Sequence, residues 1–265
     1  MTDFAHRSPR RAPRLSLRFI PVWRRNLLVW KKLAAPSILG NLADPMIYML
    51  GFGYGLGAML PQVGGVSYIA FLAAGTVCFS TMNSATFEAL YSAFSRMYVQ
   101  KTWDAILNAP LDLDDVVLAE LVWAASKSFL SGLAILVVVW LLGLSSSPLS
   151  LWVLALIPLI GLCFGAIALV ITALATSYDF FMYYFTLVIT PMTMLCGVFF
   201  PSEQLPHAFQ VAANVLPLTH ATALVRPLLL GSVPHDIALH VLVLAAYAAG
   251  AFYAALVIFR RRLLT

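Results

Sequence analysis

The sequence predicts an all-α integral membrane protein with six transmembrane helices, cytoplasmic termini, an N-terminal amphipathic helix in the interface, and a broken re-entrant segment between helices five and six. Hydrophobic residues make up 62% of the 265 residues and charged residues only 10%. The mean hydropathy is +0.90, far above that of soluble domains. Six apolar stretches are long enough to cross a bilayer, which takes roughly 20 residues each.

A basic tail and an amphipathic helix precede the first span. Residues 1–16 are rich in Arg and Pro, a composition that predicts a disordered tail, so residues 17–265 form a single transmembrane domain. From Leu17 to Lys32, apolar residues recur at spacings of three and four residues, and basic residues recur every seven residues on another face. This pattern indicates a helix lying along the membrane surface. The apolar face carries Ile20, Trp23, Leu27 and Trp30, and the basic face carries Arg18, Arg25 and Lys32.

The predicted spans cover residues 35–59, 68–93, 121–142, 151–175, 180–200 and 237–259. Glycines spaced four apart occur in two of them and favour close helix packing over a role in substrate binding. These pairs are Gly51 with Gly55, Gly53 with Gly57, and Gly161 with Gly165.

The distribution of basic residues predicts the orientation. Nine of the sixteen Lys and Arg precede Leu33, and five more lie in the loop after the second span or at the C-terminus. Basic residues near span ends stay cytoplasmic. With six spans, fourteen basic residues are inside and only Arg226 is outside. The net charge of +5 therefore indicates topology and contact with the lipid membrane, and no nucleic acid partner is expected.

The loop between spans two and three contains a short predicted helix. It begins near Tyr98 and ends before Pro110, with Trp103, Ile106 and Leu107 on one face and Lys101 and Asp104 turned away.

Residues 190–231 are apolar but interrupted by five prolines, so they predict a broken segment rather than a straight span. Helix five should end near Phe200, followed by one or two short helices. Irregular backbone at membrane depth is tolerated where it is buried in protein or lines a cavity. The segment is therefore a candidate wall of a pathway, or an outer gate. Its candidate residues are Phe199, Phe200, Pro201, Glu203, Pro206, Pro217 and Arg226.

Several stretches resemble ABC-2 type permeases, the membrane subunits of ATP-driven exporters. They include GVFFPSEQLP, LPLTHATALVRPLLLG, VWRRNLLVWKK and KTWDAIL, and within the family the similarity is greatest to lipo-oligosaccharide export permeases. The resemblance implies a homodimer of permease subunits and a separate ABC ATPase that binds ATP and Mg²⁺. It also implies that the loop helix is a coupling helix that contacts the ATPase, carried by Lys101, Trp103, Asp104, Ile106 and Leu107. The alternative is a solvated interfacial loop.

Ionisable residues inside spans are costly and need an explanation. Glu88 and Lys127 lie at similar predicted depths in neighbouring spans, which suggests an ion pair across the helices that flank the loop. The alternative is two side chains that reach water separately. Asp44, next to Pro45, either binds backbone donors at a kink or competes for Lys127.

Arg226 either attracts an acidic or polar head group or binds carbonyls freed by the neighbouring prolines. His207, His220, His235 and His240 lie near the predicted outer face, but irregular spacing beside prolines favours interface residues over metal ligands, so no metal site is predicted.

The sequence contains no nucleophile elbow, paired catalytic carboxylates or phosphate-binding loop, so no catalytic residue is predicted. We expect a transport subunit that binds no cofactor itself. The alternatives are export of another amphiphile or a drug, and ion-coupled secondary transport, for which no internal repeat supports the prediction.

Overall fold

The structure is a computed structural model that describes residues 11–60 and 62–263, most of them helical. In chain order the helices are α1 Phe19–Lys31, α2 Ala34–Gly55, α3 Tyr68–Phe87, α4 Thr102–Leu107, α5 Leu113–Leu141, α6 Val153–Leu174, α7 Asp179–Tyr184, α8 Thr190–Leu195, α9 His207–Val215, α10 Pro217–Leu230 and α11 Ile237–Leu263. Short 3-10 turns lie at Leu56–Ala58, Pro148–Trp152 and Ser202–Gln204, and π-helical turns at Glu88–Ser92, Ser95–Val99 and Phe185–Ile189. Strands β1 Gln62–Val63 and β2 Val66–Ser67 form an antiparallel hairpin that pairs Gln62 with Ser67.

Among the described residues, four helical stretches are long and apolar enough to cross a membrane. They are Tyr68–Val99, Leu113–Leu141, Pro148–Leu174 and Ile237–Leu263, and α9 with α10 counts as a fifth if this pair, bent by 89°, is one span. The predicted first and fifth spans are helical, as α2 and the 17-residue stretch Asp179–Leu195, but neither meets the same length and composition. The count of six spans therefore stays a prediction.

Two predicted helix ends are wrong by several residues. The predicted second span stops at residue 93, but the helical stretch that begins with α3 continues through two π-helical turns to Val99, so the loop helix starts at Thr102 rather than near Tyr98. The fifth helix ends at Leu195 rather than near Phe200. Its end is set by Gly197, whose φ of 72° lies in the left-handed region that glycine adopts without strain.

Helix α3 lies at the centre of the bundle and packs against α2, α5, α6 and α10. Small residues allow close approach on these faces. A Cβ on Gly161 would lie 3.1 Å from Ala125, and one on Gly165 would lie 3.2 Å from Leu121, so this glycine pair packs against α5 as predicted. The two predicted pairs near the end of α2 differ: Gly53 and Gly57 lie beside Ile69 and Tyr68 of α3, whereas Gly51 and Gly55 have open space around them, so the predicted packing role is not seen for that second pair.

The bundle has two chemically different ends. We call the first the basic end; it holds α1, the end of α3, α4, the start of α5 and the end of α11. The other end holds the hairpin and much of the broken segment, residues 190–231, where Ser145 Oγ donates to the Leu229 carbonyl at 2.7 Å.

The tail contributes to the basic end. Backbone N–H groups of Arg14 and Ser16 donate to Asp114 and Asp115 at 2.9 and 2.8 Å. Asp114 also pairs with Arg260 of α11, at 2.8 Å between Nε and Oδ1. Residues 11–16 are thus held between α5 and α11. The rest of the predicted disordered tail, residues 1–10, lies outside the described part of the chain.

Candidate functional site

A buried network of charged side chains occupies the basic end. Glu88 and Glu120 are only 3% and 1% exposed. Arg96 bridges them, with Nη2 at 2.9 Å from Glu88 Oε1 and Nε at 2.9 Å from Glu120 Oε1. Lys127 Nζ lies 2.8 Å from Glu88 Oε2. Removing carboxylates from water costs several kcal/mol unless they are paired and hydrogen-bonded, and these cations supply the pairing.

The structure thus brings Glu88 and Lys127 together and adds two members that the sequence analysis missed, Arg96 and Glu120. The π-helical turns after α3 make this possible, because i→i+5 hydrogen bonding widens the helix and places Glu88 and Arg96 on the same side. A signal for Glu120 was present in the sequence: Glu120, Trp123 and Lys127 are spaced three and four apart on one face of α5.

Two tryptophans extend the network. Trp123 Nε1 donates to Glu88 at 2.8 Å, and Trp103 Nε1 of α4 donates to Glu120 at 3.2 Å. Trp103 also packs against Phe259 of α11, with ring centroids 5.1 Å apart. The indole therefore fixes α4 to both α5 and α11.

The five residues proposed for ATPase coupling divide into two groups. Trp103 is buried and Ile106 and Leu107 are half-buried against the core, whereas Lys101 and Asp104 are exposed. Lys101 has a left-handed φ of 49°, which sets the sharp entry into α4. The buried group anchors the helix, and the exposed group is the part that a partner can touch.

Arg25 of α1 lies beside the network but forms no ion pair with Glu88 or Glu120. Its guanidinium donates to Asn26 at 3.0 Å and to Thr102 at 3.4 Å, both neutral groups. Burial and the nearby positive charge of Arg96 lower the pKa of Arg25, and Glu120 offsets part of this effect. Arg25 is therefore a cation in a locally positive environment.

A cavity of about 430 Å³ opens beside these groups. Arg25, Arg96 and Lys127 line it, together with the single carboxylate Glu88. Trp30 is among its aromatic residues.

Two further cavities adjoin one another along α2 and α3. One, of about 320 Å³, is lined by Asn41, Ser80, Ser84 and Ser131. The other, of about 300 Å³, is largely aromatic, with Tyr48, Phe52, Phe79, Phe185 and Phe199 in its wall. Asp44, Asn83 and Phe87 line both. A polar compartment and an aromatic compartment thus share one wall, and Asp44 lies on that wall. Among the described residues, no backbone N–H donates a hydrogen bond to the Asp44 carboxylate, so the kink role is without support there.

The candidate gate residues are placed differently from one another. Phe199 is buried in the aromatic wall, and its carbonyl accepts a hydrogen bond from Tyr68 Oη at 3.0 Å. Pro217 is buried at the start of α10, and Phe200 and Pro201 are half-buried. Glu203 and Pro206 are exposed. Phe199 is thus the member of this set that lines the aromatic cavity.

Arg226 binds a carbonyl. Its Nη2 donates to the Gly197 carbonyl, and its guanidinium stacks over the Phe71 ring at 3.8 Å. The contact agrees with the interpretation that Arg226 binds a free backbone carbonyl, since Gly197 follows the end of the fifth helix. The backbone there is held tightly: a Cβ on Gly75 of α3 would lie 2.9 Å from Val198 Cα.

Two of the four histidines meet. His220 Nδ1 and His240 Nδ1 are 2.8 Å apart, and His220 Nε2 lies 3.0 Å from the Asn214 carbonyl. Within residues 11–60 and 62–263, no group of three or more His, Cys, Asp or Glu side chains has the geometry to hold a metal ion.

Comparisons with known proteins identify relatives over most of the chain. A family model described as ABC-2 type transporter matches residues 18–230. Nodulation protein J of Bradyrhizobium diazoefficiens is 52% identical over 243 residues, covering 92% of this chain and 93% of that protein. Nodulation protein J of Rhizobium meliloti is 50% identical over 93% of this chain and 94% of the relative. The Escherichia coli inner membrane transport permease YadH is 22% identical over 75% of this chain and 77% of the relative.

Proposed function

Because the chain belongs to the ABC-2 type transporter family, we propose that it is the permease subunit of an exporter that moves a lipo-oligosaccharide out across the bacterial inner membrane. The substrate class is that of a lipo-chitooligosaccharide, an acyl chain joined to a short sugar chain. The chain is a transport component rather than a catalytic one.

The adjoining cavities carry the proposal. Sugar hydroxyls need hydrogen-bonding partners, which Asn41, Asp44, Asn83 and the serines of the polar compartment supply. An acyl chain needs apolar surface, which the aromatic compartment supplies. A substrate with both parts fits two compartments that share a wall better than a uniformly apolar drug does.

The energy source is assigned to a separate subunit, an ATPase similar to nodulation protein I. The exposed side of α4, with Lys101 and Asp104, is its proposed contact, and the buried Trp103 transmits movement to α5 and α11. Two permease copies, each with six spans and cytoplasmic termini, would enclose the pathway. The fourteen basic residues assigned to the cytoplasmic side support this orientation.

The test is reconstitution of the chain with its ATPase in lipid vesicles. We expect the lipo-chitooligosaccharide to be transported in an ATP-dependent way, and the deacylated sugar and the free fatty acid to be transported poorly. Asp44→Leu should reduce transport about tenfold, by the loss of hydrogen bonds to the sugar. Gly55→Ala is the control, since it lies on the same helix with open space around it.

A second measurement, the stimulation of ATP hydrolysis, tests the proposed ATPase contact on the exposed side of α4. Lys101→Ala with Asp104→Ala should abolish the stimulation of ATP hydrolysis by the permease while leaving the hydrolysis by the isolated ATPase unchanged. Gln204→Ala, an exposed change at the other end of the bundle, should leave stimulation intact. Transport driven by an ion gradient without the ATPase would contradict the proposal, and equal transport of an unrelated drug would restrict it to a general amphiphile exporter.

A further inference from the structure

We propose that the cavity at the basic end is a binding site for a phosphate group, supplied by the anionic head group of a membrane phospholipid. This site is separate from the two adjoining cavities assigned to the exported molecule. The proposal does not depend on which substrate the chain carries.

Charge is the first reason. The walls of this cavity present three cations, Arg25, Arg96 and Lys127, and one carboxylate, Glu88. Glu120, behind the wall, satisfies part of the charge of Arg96. Counting the whole cluster, three cations face two carboxylates, so one positive charge remains for an anion to neutralise.

Arg25 is the cation that an anion would bind. Among the described residues its hydrogen bonds go to the neutral oxygens of Asn26 and Thr102, and no carboxylate lies within ion-pair distance. The lowered pKa of Arg25 indicates that burial and Arg96 disfavour its charge where it lies. A guanidinium offers a forked set of donors that matches phosphate oxygens.

The position of the cavity indicates a lipid as the source. One wall is α1, the helix predicted to lie along the membrane surface. The lining residues Val29 of that helix and Leu33, just after its end, are 53% and 63% exposed. Trp30 and Tyr178 lie in the same lining and have the amphipathic rings that prefer the interface. A head group in the cavity can therefore extend its acyl chains over the apolar exposed side of α1.

The same site adjoins the coupling helix. Arg96 lines the cavity and also binds Glu120, which accepts the hydrogen bond from Trp103 of α4. Occupancy by an anion would share the charge of Arg96 and so act on the anchor of α4. The site and the anchor of α4 are therefore connected through Arg96 and Glu120.

The experiment uses the purified chain alone, so that it reports on this site whether or not the export proposal holds. Binding of phosphatidylglycerol and phosphatidylcholine is measured by native mass spectrometry from detergent, and inorganic phosphate is added as a competitor. We expect selective retention of phosphatidylglycerol. Arg25→Gln should weaken it about tenfold, the effect of losing one charge-assisted contact.

Two variants separate a site from diffuse surface charge. Arg24→Gln removes the same charge from the exposed neighbouring position and should bind as the wild type does. Arg25→Lys keeps the charge but loses the forked donors, so it should bind phosphatidylglycerol more tightly than Arg25→Gln and less tightly than the wild type. Competition by inorganic phosphate at low millimolar concentration would show that phosphatidylglycerol binds through its phosphate group, whereas binding of phosphate without retention of phosphatidylglycerol would overturn the lipid source. Equal losses for Arg24→Gln and Arg25→Gln, or no preference for phosphatidylglycerol, would overturn the proposal.

Discussion

Replacing Glu88 with Gln is expected to cost about 3 to 5 kcal/mol of stability, the range for removing one partner of a buried ion pair. The carboxylate binds Arg96 and Lys127 at 2.9 and 2.8 Å and accepts from the Trp123 indole at 2.8 Å. Glutamine keeps the volume and an acceptor oxygen but removes the carboxylate that pairs with Lys127, while Arg96 keeps Glu120. The loss therefore comes from uncompensated buried charge rather than from packing.

Removing both charges should recover part of the loss. In Glu88→Gln with Lys127→Met, the pair of Arg96 and Glu120 remains balanced, so the double variant should be more stable than Glu88→Gln alone. Lys127→Met alone should cost less than Glu88→Gln alone, because Glu88 keeps Arg96. A double-mutant cycle should give a coupling energy of about 1 to 3 kcal/mol between the two residues.

The assay is thermal denaturation of the purified variants in one detergent. The readout at each temperature is the fraction of protein that stays monodisperse on size-exclusion chromatography. Glu203→Gln serves as the control, since it removes an exposed carboxylate and should change stability by less than about 0.5 kcal/mol. The reasoning is refuted if Glu88→Gln behaves like this control, or if the double variant is no more stable than Glu88→Gln.

Three further changes follow from the packing. Trp103→Ala should free α4 from its neighbours at a cost of about 3 to 5 kcal/mol, seen as new protease cleavage near residues 100–110, whereas the exposed change Asp104→Ala should not. Gly75→Ala should cost about 1 to 3 kcal/mol because its methyl group meets backbone, while Gly51→Ala, with open space, should be neutral or stabilising in thermal denaturation. Arg260→Met should expose the segment 11–16 to protease by leaving its partner on α5 unpaired.

The outcomes for these variants discriminate between specific contacts and general loss of stability. If Asp104→Ala opens the same cleavage sites, the exposed part of α4 rather than the indole holds it. If Gly75→Ala and Gly51→Ala unfold at the same temperature, the close approach at Gly75 has no energetic importance. An unchanged protease pattern for the Arg260 variant would mean that other contacts hold the tail.

The sequence predicted local features better than contacts between distant residues. The amphipathic helix, the break in residues 190–231 and the packing pair Gly161 and Gly165 follow from residue spacing and proline chemistry. The meeting of Glu88 and Lys127 follows from their similar depth in adjacent helices. Each of these depends on periodicity, which a single sequence displays.

The missed features depend on irregular backbone or on long separations. Arg96 was assigned to a loop because nothing in the sequence marks the π-helical turns that carry α3 to Val99. Arg260 counted in the sequence only as one of the C-terminal basic residues that predict the topology, yet it pairs with Asp114 across 146 residues. No local pattern connects such positions, and none places Arg25 beside Arg96 and Glu120.

The pairing of Glu88 with residues of α5 has a consequence for how the chain enters the membrane during synthesis. Lys127 is made 39 residues after Glu88, so until α5 is synthesised the Glu88 carboxylate can pair only with Arg96, eight residues further along the same helical stretch. An ionisable side chain that lacks part of its partners is costly inside a spanning helix. Helices α3 and α5 should therefore leave the translocon as one hairpin, with α3 held until α5 arrives.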